Sequence, residues 1–514
     1  MDFVLCTNDH RASWLITRTV ILPLMPFIFI ALAQDLNPGT SYDFQDVFFA
    51  FVILSFLLLI GRWIRQSIPL LQTLYLPSSI VTGLLALLLG PAVLGAIIGE
   101  GNFLSNGIFP QPVLDVWQQI PGVFINVVFA TIFLGEFIPS PGNIWRLASP
   151  QVAFGQSIAW GQYVVGLLLA LTVLTPVFGL SPISGALIEI AFEGGHGTAA
   201  GMSETLINLG FAEGPDLALG LATVGIVSGV VSGVMLTNWG RNKGYIPAVE
   251  EDNFEEEQPT ENHQESPETK TKRARMMGSL LIDPLSLHFG FVALAIAIGW
   301  LILQGLNFIE SVTWNRAGDG LELLSAIPLF PLALVGGIIV QLFLERLRLT
   351  YLIERRLMNN IGGVALDVTI VAALASISLA VLAGNFGAFV LLSVTGIAWN
   401  VFCFIYLAPR IIPTYWFERG IGDLGQSMGV TATGLLLMQI VDPQKRSGAF
   451  ESFAYKQLFF EPIVGGGLFT AAAPALIEQF GSISLLLLTV ALLAFWLIFG
   501  FWNYRQIARN TASG

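Results

Sequence analysis

A short glycine-rich stretch, FEGGHGTAAGMS at residues 192–203, interrupts a chain that is otherwise built from long apolar runs. Glycine fills three of the four positions from Gly194 to Gly197, and glycine lets a backbone turn tightly and approach a ligand closely. A second stretch of this kind, GQSMGVTATG, occupies residues 425–434. Irregular backbone at membrane depth survives only where protein or a water-filled cavity surrounds it. These two stretches therefore decide which membrane fold the chain can form.

The composition of the chain indicates an integral membrane protein. Of its 514 residues, 54% are hydrophobic and only 11% are charged, and the mean hydropathy is +0.73. Soluble proteins carry about 25% charged residues, and a soluble core cannot absorb this much apolar surface. This excludes a soluble enzyme, a nucleic-acid binder and a disordered scaffold. The apolar runs are long enough for helices, whereas barrel strands would be about ten residues long and alternating.

Ten apolar runs predict crossing helices in the body of the chain. They lie at about 46–61, 76–98, 121–138, 153–175, 216–238, 287–305, 328–344, 363–384, 387–408 and 457–478, and further apolar runs lie at 14–33 and 481–502. If residue 45 lies outside and the helices alternate, nearly all of the 23 basic residues fall inside, with Arg316 as the exception in the body of the chain. The segments 176–215 and 421–441 must then each enter the membrane and leave it on the same side. The first does so from the outside and the second from the inside.

A charged linker separates two halves of the chain. Residues 244–283 contain two acidic runs and a basic run, which predicts a solvated cytoplasmic linker. Residues 41–243 and 284–480 are predicted to be two repeats. Residues 1–40 are either a signal peptide or an extra span, and residues 481–514 are an additional span with a cytoplasmic tail.

The two halves carry similar sequences in the same order. Residues 77–85 pair with 331–339, 131–132 with 369–370, 158–160 with 397–399, and 198–201 with 431–434. Because each half has five spans, an odd number, the second half must be inverted relative to the first. Inverted repeats with interrupted segments in corresponding positions are typical of secondary transporters. The sequence therefore predicts an all-α polytopic membrane protein with two inverted five-helix repeats, each with a re-entrant or broken-helix loop. A structural bundle would gain nothing from unwinding two helices in lipid.

The tips of the two loops are predicted to hold a small anionic substrate near the bilayer midplane. A helix starting near Thr198, and another in 425–434, would attract a carboxylate. The predicted substrate-binding residues are Gly194, Gly195, His196, Gly197, Thr198, Gly429, Thr431 and Thr433. The predicted sodium or coupling-ion ligands are Glu193, Thr198, Ser427, Thr431 and Asp367. Helix packing is the alternative role for glycine, and it is preferred for Gly225, Gly229 and Gly233.

Several titratable residues have more than one possible role. Intramembrane carboxylates are costly and usually functional, so Glu193 is expected to bind a cation, take up a proton or cap a helix. His196 is either a proton relay, a substrate hydrogen-bond donor or a structural residue. Asp423, Glu189 and Glu461 are weaker candidates because each can reach an interface. The two cysteines and four histidines are scattered, so sodium is the only metal expected and no cofactor is indicated.

The motif GGHGTA at residues 194–199 resembles the loop motif of the bacterial glutamate:sodium symporters. The stretch LPSSIVTGLL at 76–85 is similar to the early proline-glycine span of that family, and residues 429–434 resemble its second loop. The resemblance extends from about residue 45 to 480. The chain departs from the family in having Glu193 in place of serine, an N-terminal extension and the span at 481–502. A charged Glu193 would repel an anionic amino acid unless it is protonated, salt-bridged or turned toward a cation.

The resemblance implies sodium-coupled uptake of L-glutamate by alternating access in a bacterial inner membrane. It also implies a homodimer in which a transport domain slides past a static dimerisation domain, as in elevator-type secondary transporters. The expected partners are L-glutamate, sodium and the lipid bilayer, with no nucleic acid. The alternatives are a sodium- or proton-coupled carrier for another small carboxylate, such as a dicarboxylate, and an ion channel on the same repeats. A membrane-embedded enzyme is least favoured because no catalytic constellation stands out.

Overall fold

The computed structural model describes residues 42–74, 76–99, 104, 107–136, 138, 141–246, 283–313, 324–325 and 327–512. Within these ranges every regular element is helical, and eleven helical segments are long and apolar enough to cross a bilayer. This agrees with the predicted all-α polytopic membrane protein. The predicted signal peptide or extra span at 1–40 and all but the ends of the 244–283 linker lie outside the described residues.

The α-helices of the described chain are numbered in order, and short 3-10 or π-helical turns connect some of them. In the first half they are α1 Phe44–Ser67, α2 Pro69–Thr73, α3 Ser78–Leu89, α4 Ala96–Ile98, α5 Gln111–Thr131, α6 Pro141–Leu169, α7 Thr175–Phe178, α8 Gly195–Gly201, α9 Ser203–Asn208 and α10 Gly214–Asn242. In the second half they are α11 Pro284–Val312, α12 Leu329–Arg346, α13 Arg355–Ala375, α14 Leu379–Gly384, α15 Phe386–Phe402, α16 Ala408–Ile411, α17 Trp416–Val441, α18 Ala449–Phe460, α19 Leu468–Phe480 and α20 Ser482–Ala512.

Two of the long helices present mostly apolar side chains on their outer surface. In both α11 and α20, only 17% of the most apolar part of the helix is buried inside the protein. Large apolar side chains such as Phe308, Leu487 and Ile498 are more than half exposed. Surfaces of this kind suit hydrocarbon rather than water. The chain is therefore a multi-pass membrane protein.

The described chain forms two compact units, each with residues from both halves of the sequence. The first unit contains the described residues up to Phe124 together with Asp367–Gly384. Its core includes Leu57 and Trp117, and the indole Nε1 of Trp117 donates a hydrogen bond of 3.2 Å to the carbonyl of Ala50. The second unit contains Ile125–Leu366 and the chain from Asn385 onward. The predicted repeat boundaries stay a prediction.

In the second unit, α6 is the helix around which other elements pack. The amide Nδ2 of Asn503 on α20 donates to the hydroxyl of Ser149 on α6 at 3.0 Å. On another face of α6, the indole of Trp399 from α15 donates to the carbonyl of Ile158 at 3.0 Å. Since a buried polar group must be paired, these bonds fix the position of α6 against α15 and α20.

Most predicted spans correspond to helices, but the third one was placed too late in the chain. The prediction put it at 121–138, whereas α5 runs over Gln111–Thr131. The eighth span, predicted at 363–384, was likewise late, because α13 runs over Arg355–Ala375. The added first half of α5 includes the polar residues Gln118 and Gln119, which are exposed, while Trp117 faces the core. The helix ends before Gly135, which has a φ of +81°.

The prediction of one continuous span at 457–478 was also wrong. The chain forms α18 up to Phe460, leaves the helical path, and resumes as α19 at Leu468. The intervening residues include Gly465 and Gly466, with φ values of +71° and +102°. Positive φ is costly for other residues and open to glycine, so these glycines allow the break.

Candidate functional site

The first break in helical structure lies at the start of α8. A π-helical turn over Glu189–Glu193 precedes it, and Gly195 has a φ of +66°. Only glycine adopts this conformation readily, which explains why the chain breaks at the GGHG motif. Every residue of α8 is buried. The helix was expected to start near Thr198, but it starts at Gly195 and is seven residues long.

The second break divides α17 into two arms. Gly429 and Val430 leave the helical conformation, and Val430 has φ +69° and ψ 166°. A Cβ added to Gly425 would lie 2.7 Å from the Cα of Gly434, and one added to Gly422 would lie 2.6 Å from the sulfur of Met438. A straight helix would hold these pairs far apart. The chain therefore reverses direction at Gly429–Val430, and α17 is a helical hairpin.

The conformation of Val430 is strained. A β-branched residue at positive φ is a rare outlier, and such strain costs of order 1–3 kcal/mol and is concentrated at functional sites. The hairpin is held by two side-chain amides, because Gln162 on α6 and Asn400 on α15 both donate to the carbonyl of Ser427, at 2.8 and 3.1 Å. These bonds fix the first arm just before the strained turn.

Helix α10 packs against this hairpin through small residues. A Cβ on Gly225 would lie 2.3 Å from the carbonyl oxygen of Met428, and one on Gly233 would lie 2.4 Å from the side chain of Leu437. Gly229 also faces Met428, at 3.1 Å. The prediction that these three glycines serve packing is confirmed.

The two breaks meet. A Cβ added to Gly195 would lie 2.2 Å from Cγ1 of Val430 and 3.7 Å from its Cβ. These two residues are 235 positions apart in the sequence. The two segments thus touch at the point where each leaves its helical path. The contact has no room for a methyl group on Gly195.

Several buried polar atoms on the residues from 193 to 198 and from 427 to 430 have no hydrogen bond. Within the described residues they are both carboxylate oxygens of Glu193, the hydroxyls of Thr198 and Ser427, and Nδ1 of His196. The hydroxyl of Ser427 lies near the Glu193 carboxylate without reaching hydrogen-bond geometry, so the acidic side chain of the first break approaches the second. A buried carboxylate without partners is costly, and this arrangement offers oxygen ligands to a small cation.

A third broken segment, Glu461–Gly467 between α18 and α19, completes the cluster. A Cβ on Gly466 would lie 2.5 Å from the hydroxyl oxygen of Thr198, and one on Gly465 would lie 3.5 Å from Cγ of Glu193. This segment therefore runs alongside the first break. The prediction of a continuous span missed it, although three consecutive glycines at 465–467 were the signal available in the sequence.

Glu189, on the turn before the first break, ties the third segment in place. Its carboxylate accepts hydrogen bonds from the hydroxyl of Tyr163 at 2.6 Å, from the backbone amide of Gly465 at 2.8 Å and from the hydroxyl of Thr470 at 2.8 Å. Three donors satisfy a carboxylate well, so the hydrogen bonds of Glu189 are already made within the protein. Glu189 is therefore less available to a ligand than Glu193.

A fully buried ion pair joins α18 to the hairpin. Nζ of Lys456 lies 2.7 Å from Oδ1 of Asp423 and 2.7 Å from Oε1 of Gln426, and it lies 4.1 Å from the ring centre of Phe460. Gln457 on α18 donates to Gln426 at 3.0 Å. Lys456 was expected among the cytoplasmic basic residues, but it is buried in this polar network.

The remaining predicted site residues have varied surroundings. Nε2 of His196 lies 3.0 Å from the hydroxyl of Thr223, and Thr433 donates to the carbonyl of Gly429 within the hairpin. Thr431 donates to Oε1 of Glu461 at 3.4 Å. Gly194 lies beside the side chain of Thr198, and Gly197 faces the apolar side chains of Ile125 and Leu366. Asp367 belongs to the first compact unit and is half-buried, whereas all the other candidates belong to the second.

Comparison with known proteins identifies a family that matches most of the chain. A family model described as sodium/glutamate symporter matches residues 44–445. A search of curated proteins finds no match. The matched range includes both segments that meet at Gly195 and Val430. It ends before α18, earlier than the expected residue 480, so the third segment lies outside it.

Proposed function

The chain belongs to the sodium/glutamate symporter family, and from this premise we propose that it couples sodium entry to L-glutamate uptake by alternating access. Symport of glutamate is the activity that the family name gives. The coupling, the direction and the residues that bind each solute are the proposed part. The same proposal includes a homodimer in a bacterial inner membrane, with the linker and the C-terminus in the cytoplasm.

The observation that carries this proposal is the contact between the two broken segments. Gly195 and Val430 touch, and the unpaired oxygens of Glu193, Thr198 and Ser427 lie around them. In secondary transporters, interrupted helices in corresponding positions of two repeats form the binding site. We assign glutamate to the tips at 194–198 and 429–433, beside this cluster of oxygens.

Sodium is assigned to the buried oxygens between the tips. It is a hard cation that suits carboxylate, hydroxyl and carbonyl oxygens, and Glu193 supplies a negative charge in a place that water does not reach. A cation bound to Glu193 removes the repulsion that this carboxylate would exert on glutamate. Sodium therefore favours glutamate binding, and the sodium gradient supplies the work of uptake.

Alternating access is proposed to come from the two inverted repeats. Copies of opposite orientation can exchange conformations, and the exchange turns an outward-open site into an inward-open one. The elevator motion, with one domain sliding against a static dimerisation domain, belongs to the same proposal.

Uptake of radiolabelled L-glutamate into proteoliposomes tests the proposal. An inward sodium gradient should drive accumulation, and replacing external sodium by potassium should abolish it. Uptake that ignores the sodium gradient but follows a proton gradient would contradict sodium coupling. Currents at channel rates in a planar bilayer would contradict a carrier altogether.

A further inference from the structure

Glu461 occupies a special position at the start of the third segment. Its Oε1 accepts a hydrogen bond of 3.4 Å from the hydroxyl of Thr431, which follows the strained turn of the hairpin. Its second carboxylate oxygen has no hydrogen bond among the described residues. Both Glu461 and Thr431 are partly exposed, whereas Glu193 is 3% exposed. Glu461 is therefore a partly exposed carboxylate beside the predicted substrate tips.

The other acidic side chains near the tips already have roles. Asp423 is paired with the ammonium of Lys456 at 2.7 Å, and the carboxylate of Glu189 accepts three hydrogen bonds. Glu193 is nearly inaccessible and faces Ser427, which suits a desolvated cation. Among these four acidic residues, Glu461 is the one that combines accessibility with an unused hydrogen-bonding oxygen.

The chemistry of L-glutamate demands one anionic partner. The substrate carries two carboxylates and one ammonium group, and a desolvated ammonium needs an acceptor, best a charged one. We propose that the Glu461 carboxylate accepts hydrogen bonds from the α-ammonium of the substrate and thereby selects the amino acid over a dicarboxylate of the same length. This assignment rests on the proposed function.

The inference also explains why an acidic residue next to an anionic substrate is tolerated. With a cation at Glu193 and the substrate ammonium at Glu461, each of these two carboxylates has a positive partner. A dicarboxylate would leave Glu461 facing two more negative charges. The third segment, which lies outside the family match, then supplies part of the selectivity.

The test compares L-glutamate with glutarate, which has the same carbon chain and both carboxylates but no ammonium. In proteoliposomes containing the full chain, KM is measured for L-glutamate and Ki for glutarate as a competitor. Selectivity is the ratio of the glutarate Ki to the glutamate KM. Glu461→Gln should lower this ratio at least about tenfold, through a raised glutamate KM, since a charge-assisted hydrogen bond is lost. Glu451→Gln, an exposed acid on the same α18, is the matched control and should leave the ratio unchanged.

An unchanged ratio in Glu461→Gln, or an equal loss of glutamate and glutarate binding, overturns the inference. If Glu461→Gln does not fold, Glu461→Asp replaces it: the charge stays but its reach shortens, so the ratio should still fall, and an unchanged ratio is a refutation. If the wild-type protein transports glutarate as well as it transports glutamate, the inference is overturned, although the protein is still a carrier. Wild-type protein with no sodium-driven uptake of either solute overturns the proposed function itself.

Discussion

At the scale of single residues, the contact between the two broken segments depends on the missing side chain of Gly195. An added methyl group would lie 2.2 Å from Cγ1 of Val430, and the backbone of Gly195 has a φ of +66°. Overpacking of this kind costs about 1–3 kcal/mol. Gly195→Ala should therefore lower the initial rate of glutamate uptake at least about fivefold, measured in proteoliposomes at equal protein content.

Gly210 provides the matched control for this substitution. It has a similar φ of +78°, but nothing lies within 4 Å of an added Cβ. Gly210→Ala therefore has the same conformational cost without the clash, and its uptake should stay near the wild-type rate. Adding Val430→Ala to Gly195→Ala should restore part of the activity. Equal losses of uptake in Gly195→Ala and Gly210→Ala would show that uptake does not depend on the contact between Gly195 and Val430.

The Glu193 carboxylate is the proposed ligand of the cation. Sodium that binds only the folded state raises its stability by mass action. Wild-type protein in detergent should therefore gain Tm when sodium chloride replaces choline chloride. Glu193→Gln should lose most of this gain, while Glu204→Gln, an exposed acid nearby, should retain it. The same sodium-dependent gain in Glu193→Gln would remove Glu193 from the cation site.

At the scale of elements, the ion pair between Lys456 and Asp423 attaches α18, and with it the start of the third segment, to the hairpin. Lys456 and Asp423 are both fully buried, and removing one partner of a buried pair costs about 3–5 kcal/mol. Lys456→Met should therefore lower the Tm strongly, as measured by thermal unfolding in detergent. Adding Asp423→Asn should recover much of the loss, because the unpaired charge disappears. A double variant no more stable than Lys456→Met would contradict this role.

The sequence predicts helices well and their interruptions unevenly. Long apolar runs identify most spans, and glycines with nearby threonines identify the breaks at Gly195 and Val430. The break at Glu461–Gly467 was not predicted, because the stretch from Phe459 to Phe469 is apolar enough to be taken as part of a continuous span. Pairings such as Lys456 with Asp423 join residues far apart along the chain, and no local pattern of residues predicts them.

At the scale of the whole molecule, the site combines segments from both halves of the chain. Glu193 and Thr198 come from the first half, Ser427 and Val430 from the second, and Glu461 lies beyond the range that the family model matches. The family thus accounts for the two segments that meet, and the later part of the chain adds a third. Binding of a solute between them requires that the first two segments be neighbours in the working protein.

Oxidative cross-linking of Gly195→Cys/Val430→Cys, with Cys6 and Cys403 replaced by alanine, tests this requirement most directly. A Cβ at position 195 would lie 3.7 Å from the Cβ of residue 430, which suits a disulfide. A protease site placed between residues 250 and 275 separates the halves on a gel unless the disulfide joins them. We expect halves that stay joined after oxidation, with less uptake than in the same variant kept reduced. Halves that separate, or joined halves with undiminished uptake, would contradict this expectation.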